Sequence, residues 1–245
     1  HGRRVFFDAE HFFDGFSDNH NYATQVIKTA SEAGAERIIL CDTNGGSIPS
    51  LVEEIVRKIK SETSAILGIH THNDTELAVA NAMVAIKSGV KQVQGTINGY
   101  GERCGNANLI SLIGNLKIKW GIDCVTEEQL SKLTEISRYI SEVANMPPYG
   151  FQPYVGVSAF SHKGGLHASG IAKVEASYQH IPPERVGNIK RVVISELSGR
   201  SNILHKLEEL GLSNLVPKEE APKILDMIKI QESKGFQYEG AEASF

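Results

Sequence analysis

The chain has 245 residues, 41% of them hydrophobic and 22% charged, the makeup of an ordinary globular protein with room for a large core. A formal net charge of -4 gives no electrostatic footprint for nucleic acid, and no apolar run approaches the length of a membrane span, so small molecules are the expected partners, with no nucleic acid and no membrane. Cys41, Cys104 and Cys124 form no paired framework and nothing at the amino end resembles a secretory leader, so a reducing cytoplasm is the expected compartment.

The chain opens on His1-Gly2-Arg3-Arg4 without an initiator Met and is expected to be a piece of something longer. Apolar runs predict strands over 4–9, 37–41, 65–69 and 91–95. Helical patterns alternate with them over 22–33, ending at Gly34; 49–60, with Pro49 in the first turn; 75–88, ending at Gly89; and 107–117. A repeat of about thirty residues is the length of a βα unit with a parallel crossover. A longer helix is expected over 126–143, with apolar positions Leu130, Leu133, Ile136, Ile140 and Val143, before the breaker Met146-Pro147-Pro148-Tyr149-Gly150. Residues 151–199 have little clear period, and helix returns over 201–210 and 218–234 as a smaller appended subdomain.

Each predicted strand ends in polar residues: Asp8 and Glu10, then Asp42-Thr43-Asn44, then His70 and His72, then Thr96 and Asn98. In a (β/α)₈ TIM barrel, catalytic groups sit at the carboxyl ends of several strands, so four such clusters in phase argue for one shared mouth. Only four βα units are visible, so the expected fold is α/β, the C-terminal half of such a barrel followed by a small, mostly helical linker subdomain. An open doubly wound sheet is the alternative, but Gly99-Tyr100-Gly101 is followed by Cys104 where its nucleotide fingerprint needs a third glycine.

The most informative run is Gly68-Ile69-His70-Thr71-His72-Asn73-Asp74. In a strand, residues i and i+2 share a face, so His70 and His72 can reach one divalent metal while Asn73 or Asp74 caps the next helix. The plain alternative is two surface histidines beside a helix cap. Two imidazoles with an oxygen ligand suit zinc, manganese or iron, with magnesium a poorer match. Asn106, in Gly99-Tyr100-Gly101-Glu102-Arg103-Cys104-Gly105-Asn106, offers an amide oxygen at the same mouth or else an N-cap, and Glu102 and Arg103 can pair with each other. Glu10 is placed to act as acid or base, or to sit solvated. Cys41 closes an apolar strand and reads as a buried hydrophobe rather than a nucleophile. Further on, His162 and His167 offer two more imidazoles, with Tyr178 eleven residues beyond the second, and a His brought to the mouth from another element could transfer protons.

These motifs resemble the metal-dependent acetyl-CoA/2-oxo-acid condensing enzymes, the family of the 2-isopropylmalate, homocitrate and citramalate synthases. The resemblance covers essentially the whole chain and rests on His70-Thr71-His72-Asn73-Asp74, on residues 99–107 and on Ser161-His162-Lys163-Gly164-Gly165-Leu166-His167-Ala168. The wording of residues 6–15 and 192–202 looks most like the citramalate branch.

The resemblance implies a divalent metal (Mn2+, Mg2+ or Zn2+) on His70 and His72 with Asn106 at or near it, and Thr43 binding the carboxylate of pyruvate or another 2-oxo acid. It further implies that Glu10, His167 and Tyr178 handle protons from acetyl-CoA, with His162 structural. His167 and Tyr178 would reach the partner's barrel in a homodimer. Residues 1–148 would then be the C-terminal half of the catalytic barrel, and 149–245 linker subdomains leading to an absent regulatory domain. The family's Asp-x-Thr-Leu-Arg-Asp-Gly motif, with a metal-binding Asp and a substrate-gripping Arg, has no counterpart here. A half barrel exposes two sheet edges, so the isolated chain is expected to be insoluble or to bind metal poorly. Related metal-dependent carbon-carbon lyases share the His-x-His pair and are the second enzymatic reading; an inactive folding module is the third.

Overall fold

The structure is a computed structural model that describes residues 2–162, 179–192 and 198–238. The chain divides into two compact units, His1–Thr126 with Ile136–Pro147, and Glu127–Glu135 with Pro148–Phe245.

The first unit is built on four parallel strands in sequence order, β1 (Phe6–Ala9), β2 (Arg37–Asp42), β3 (Leu67–Thr71) and β4 (Gln92–Gln94). Helices follow the strands: α1 (Phe12–Asp18) and α2 (His20–Glu32) after β1, α3 (Pro49–Glu62) after β2, α4 (Ala78–Lys87) after β3 and α5 (Leu109–Gly114) after β4. Strand alternation sends Ile38, Leu40, Leu67 and Ile69 to the helix side, where they pack with Val52, Ile55, Val56 and Ile59 of α3 and with Ala78, Ala82 and Ala85 of α4. Full burial of each large aliphatic side chain contributes about 1.5–3 kcal/mol, which makes this layer the principal source of the unit's stability.

The opposite face carries the chemistry. Register pairs Asp8 with Ile39, Ile39 with Gly68, Cys41 with His70 and His70 with Gln94, so these residues form successive rungs on one side of the sheet. A Cβ on Gly68 would lie 2.3 Å from Ile39 Cδ1, so glycine there makes room for the isoleucine. The amide of Gln94 donates to Asp8 Oδ1 at 3.1 Å, although β4 and β1 are the two outer strands. Three strand spacings in a flat sheet amount to about 14 Å, more than these two side chains span, so the sheet curls toward its polar face.

Several expectations shift. β1 begins at Phe6 rather than residue 4, β3 runs through Thr71 rather than ending at 69, and β4 is three residues long. The helix expected over 75–88 starts at Ala78, because residues 73–77 are occupied in turn bonds. The helix expected over 107–117 is α5 continued by a π turn, Asn115–Lys119. Helix α1 has no counterpart in the periodicity; Phe12 and Phe13 are buried, with Phe12 against both Phe13 and Phe16, and the aromatic run around Gly15 hides a helix of about two turns.

The helix expected over 126–143 divides into α6 (Glu127–Leu130) and α7 (Leu133–Val143). Leu130 and Leu133 are buried as expected, but Ile136 and Val143 are 40% and 66% exposed, while Thr134, Ser137 and Ser141 are buried. Polar satisfaction decides the rotation. Asn98 donates to Ser137 O (2.9 Å) and Ser141 Oγ (3.1 Å) and accepts from Ser137 Oγ (2.6 Å), and Tyr100 Oη lies 3.0 Å from Ser141 Oγ.

In the second unit, β5 (Ser161–His162) pairs in parallel with β6 (Arg191–Val192), two short strands inside the stretch without clear period. Asn188 ties the preceding loop by donating to the carbonyls of Tyr154 and Gly156, 3.0 Å each. The two later helices are α8 (Arg200–Glu209) and α9 (Ala221–Glu232), packed through Ile203, Leu207, Ala221 and Ile228. Among the described residues, no helix is long and apolar enough to cross a membrane.

Candidate active site

His70 is the fourth residue of β3 and His72 follows the strand on the same face. Their Nε2 atoms are 3.3 Å apart, both rings half-buried, and each Nδ1 is buried without a hydrogen-bond partner. Asn106 lies directly opposite His72 across an isolated antiparallel bridge, which sets the two side chains beside each other. Its Nδ2 donates to Tyr100 O at 3.2 Å, leaving Oδ1 buried and unpartnered. Glycines allow the loop to approach this closely: a Cβ on Gly101 would lie 2.0 Å from Asn106 Nδ2, and one on Gly105 1.9 Å from the carbonyl oxygen of Gly99.

These residues fit a divalent ion. Metal–imidazole bonds of about 2.0–2.1 Å place neighbouring nitrogen ligands about 3 Å apart, close to the separation seen, and an orphaned amide oxygen is a natural third donor. Partial burial, then the neighbouring His70 and Arg103, hold the His72 imidazole below its ordinary value, which favours the neutral, metal-binding form. Among the described residues, no group of three His, Cys, Asp or Glu side chains converges, and the oxygen set beside the two imidazoles is the Asn106 amide.

A second cluster joins the loops after β1 and β2. Thr43 Oγ1 donates to Glu10 Oε2 at 2.8 Å and accepts from the His11 amide at 2.8 Å. His11 adopts the left-handed region, φ 53°, to present that amide. Asn44 Nδ2 donates to Asp14 Oδ2 at 2.9 Å, with His11 Nδ1 3.4 Å from the same oxygen. Asp42 is almost wholly buried; its Oδ1 accepts from the amide and hydroxyl of Ser47, at 3.3 and 2.8 Å, which shapes the turn that carries Thr43. Burial raises its carboxyl above the ordinary range, against the two Ser47 bonds.

A third node was not singled out by the motifs. The Arg103 guanidinium donates to both oxygens of Asp74, Nε to Oδ1 at 2.8 Å and Nη2 to Oδ2 at 3.1 Å, and Nη2 also reaches Thr43 O at 2.8 Å. Glu102, the partner the sequence offers, forms a looser ion pair with Arg103 at 3.9 Å. Asp74 therefore does not cap the following helix; Asn73 Oδ1 accepts from the Ala78 amide at 3.2 Å instead. Likewise Asn108, not Asn106, caps α5, accepting from Ile110 N at 3.0 Å, so the capping alternative for Asn106 falls away. Cys41 is 1% exposed and its thiol is pushed up to about 12, first by burial and then by Glu10 and Asp8, which makes it a packing residue. His167 and Tyr178 lie outside the described residues, and His162 is described only as part of β5.

A family described as HMGL-like matches residues 5–140, and one described as homocitrate synthase post-HMGL domain-like matches residues 154–235. The chain belongs to the HMGL-like family. Its fold is accordingly that of a TIM-barrel family, with a parallel sheet and covering helices. The (R)-citramalate synthase of Geobacter sulfurreducens is 53% identical over 98% of this chain and 46% of its own length; that of Aquifex aeolicus is 51% identical over the same shares. The 2-isopropylmalate synthase of Methanocaldococcus jannaschii is 36% identical over 96% of this chain and 45% of its own. The chain spans about half the length of the curated relatives it matches.

Proposed function

We propose that this HMGL-like chain supplies the metal-bearing half of a citramalate synthase, which condenses acetyl-CoA with pyruvate and water to give (R)-citramalate and CoA. The observation that carries the chemistry is the convergence of the His70 and His72 Nε2 atoms, 3.3 Å apart and facing Asn106, on the face that also bears Thr43 and Glu10. The relatives named (R)-citramalate synthase support pyruvate as the oxo acid. In this reading residues 1–148 are the C-terminal half of the catalytic barrel, residues 149–245 are linker subdomains leading to a regulatory domain, and the remaining strands come from the rest of a longer protein. The curl of the four-stranded sheet and the matched share of the relatives support it.

His70, His72 and Asn106 would hold a divalent ion, Mn2+, Mg2+ or Zn2+, which when bound polarises the 2-oxo group of the substrate. Thr43 binds the substrate carboxylate. Its hydroxyl has one hydrogen, at present given to Glu10, so donation to the carboxylate frees Glu10 from that bond. Glu10, His167 and Tyr178 share the proton transfers: one withdraws a proton from the thioester methyl, the resulting enolate carbon attacks C2 of pyruvate, and another protonates the new alkoxide. Water then cleaves the thioester and releases CoA. His167 and Tyr178 fall within the stretch that matches the post-HMGL domain, in keeping with their entry from the linker, in a homodimer from one protomer into its partner's barrel. Three free cysteines accord with a cytoplasmic setting.

The test is thiol release from acetyl-CoA by the full-length protein with Mn2+ or Mg2+, in the presence of pyruvate, 2-oxoisovalerate or 2-oxoglutarate. Release that requires pyruvate is expected. Preference for another acid would move the enzyme to the 2-isopropylmalate or homocitrate branch, and release with none would contradict the condensing reading in favour of a lyase.

A further inference from the structure

We propose that Arg103 is a positioning residue for the 2-oxo acid, acting through the peptide of Thr43; this rests on the reading of Thr43 as the contact for the substrate carboxylate. Thr43 is held from two sides. Its hydroxyl is fixed by the His11 amide and Glu10, and its carbonyl accepts from Arg103 Nη2 at 2.8 Å. Without the second contact the peptide carrying Thr43 is free to tilt about the Cα, and the hydroxyl tilts with it.

Arg103 is itself aimed. It stands in the left-handed region, φ 56°, between Gly101 and Gly105, a backbone cost that a non-glycine residue bears only where its surroundings demand it. Asp74 receives two of its donors and is anchored in turn: it packs against Gly45, where a Cβ would lie 2.4 Å from Asp74 Oδ2, and Thr75 Oγ1 donates to Gly45 O at 2.8 Å. One guanidinium thus locks the loops after β2, β3 and β4, and only a planar fork can serve the carboxylate and the carbonyl together. The Arg103 side chain is 40% exposed, so the pair contributes little to global stability and its loss falls on loop geometry.

The experiment measures steady-state kinetics of the full-length enzyme, with Mn2+ titrations, for Arg103→Gln, Arg103→Lys, Thr43→Val and the double variant Thr43→Val/Arg103→Gln. Arg103→Gln is expected to raise KM for the oxo acid about tenfold while KM for acetyl-CoA and the Mn2+ dissociation constant stay within about twofold. Arg103→Lys, which keeps the charge and one donor, is expected to fall between wild type and Arg103→Gln, and it supplies the measurement if the glutamine variant does not fold. In the Thr43→Val background, Arg103→Gln should add nothing. A full additional tenfold loss there, or Mn2+ affinity falling in step with KM, would overturn the proposal while leaving Thr43 as the carboxylate contact. An unchanged oxo-acid KM in Thr43→Val alone would remove that contact and the proposal with it.

Discussion

The polar end of the first unit and its flanks are finished to different degrees. At the strand ends, loops are tied to one another by bonds that cross 29 to 60 residues of sequence, from Arg103 to Asp74 and Thr43 and from Thr43 to Glu10. At the flanks, apolar surface faces outward. A groove of about 650 Å³ beside β1 is lined by Val5, Phe6, Phe7, Tyr22 and Val26, and α7 exposes Ile136, Tyr139 and Val143. The strand ends are thus preorganised by polar bonds between loops, whereas the flanks expose apolar side chains.

The comparison can be broken at its strongest point by His70→Ala. In the full-length protein we expect pyruvate-dependent CoA release to fall on the order of 100-fold or more, because one of two imidazole donors is lost. Substitution within the finished core should cost nearly as much in stability. Ile55→Ala on α3 removes a side chain that is 2% exposed, and urea unfolding should show a loss of about 2–5 kcal/mol. Ser137→Ala tests the polar side of α7: it strips the hydroxyl that donates to Asn98 at 2.6 Å and should cost about 1–2 kcal/mol by the same assay. Ile136→Ala on the outward side of the same helix should cost no more than about 0.5 kcal/mol. A larger loss would mean that something beyond this chain covers that face. Smallest of all is an effect on alkylation: at pH 8, Cys104 and Cys124, both exposed, should label while Cys41, with its thiol pushed up to about 12, stays unreacted until the chain unfolds.

Alternation of apolar strand and helix, with turn residues between, was enough to read four βα units, because α3 and α4 bury apolar side chains at helical spacing. The convergence of His70 and His72 was legible for a similarly local reason: their i, i+2 spacing fixes a common face. Helix α7 misled the same rule. Its periodic residues Ile136, Ile140 and Val143 suggested a buried stripe, yet Ser137 and Ser141 are buried instead, held by Asn98 and Tyr100 some forty residues earlier, and Thr134 is buried where it donates to Val186 O at 2.7 Å. The reach of Arg103 beyond Glu102 was not legible for the same cause. Its sequence neighbour Glu102 is the obvious partner, and only the loop geometry reveals Asp74 and Thr43.

The most direct test of the central claim, that the strand ends of this chain build one metal site, is a calorimetric titration of Mn2+ into the full-length protein and into His70→Ala and Asn106→Ala. The account predicts one ion per chain, no measurable binding in His70→Ala and affinity about 10–100-fold weaker in Asn106→Ala. The isolated 245-residue chain, with its flanks uncovered, should bind more weakly than the full-length protein. Equal affinity in all three full-length proteins would contradict it.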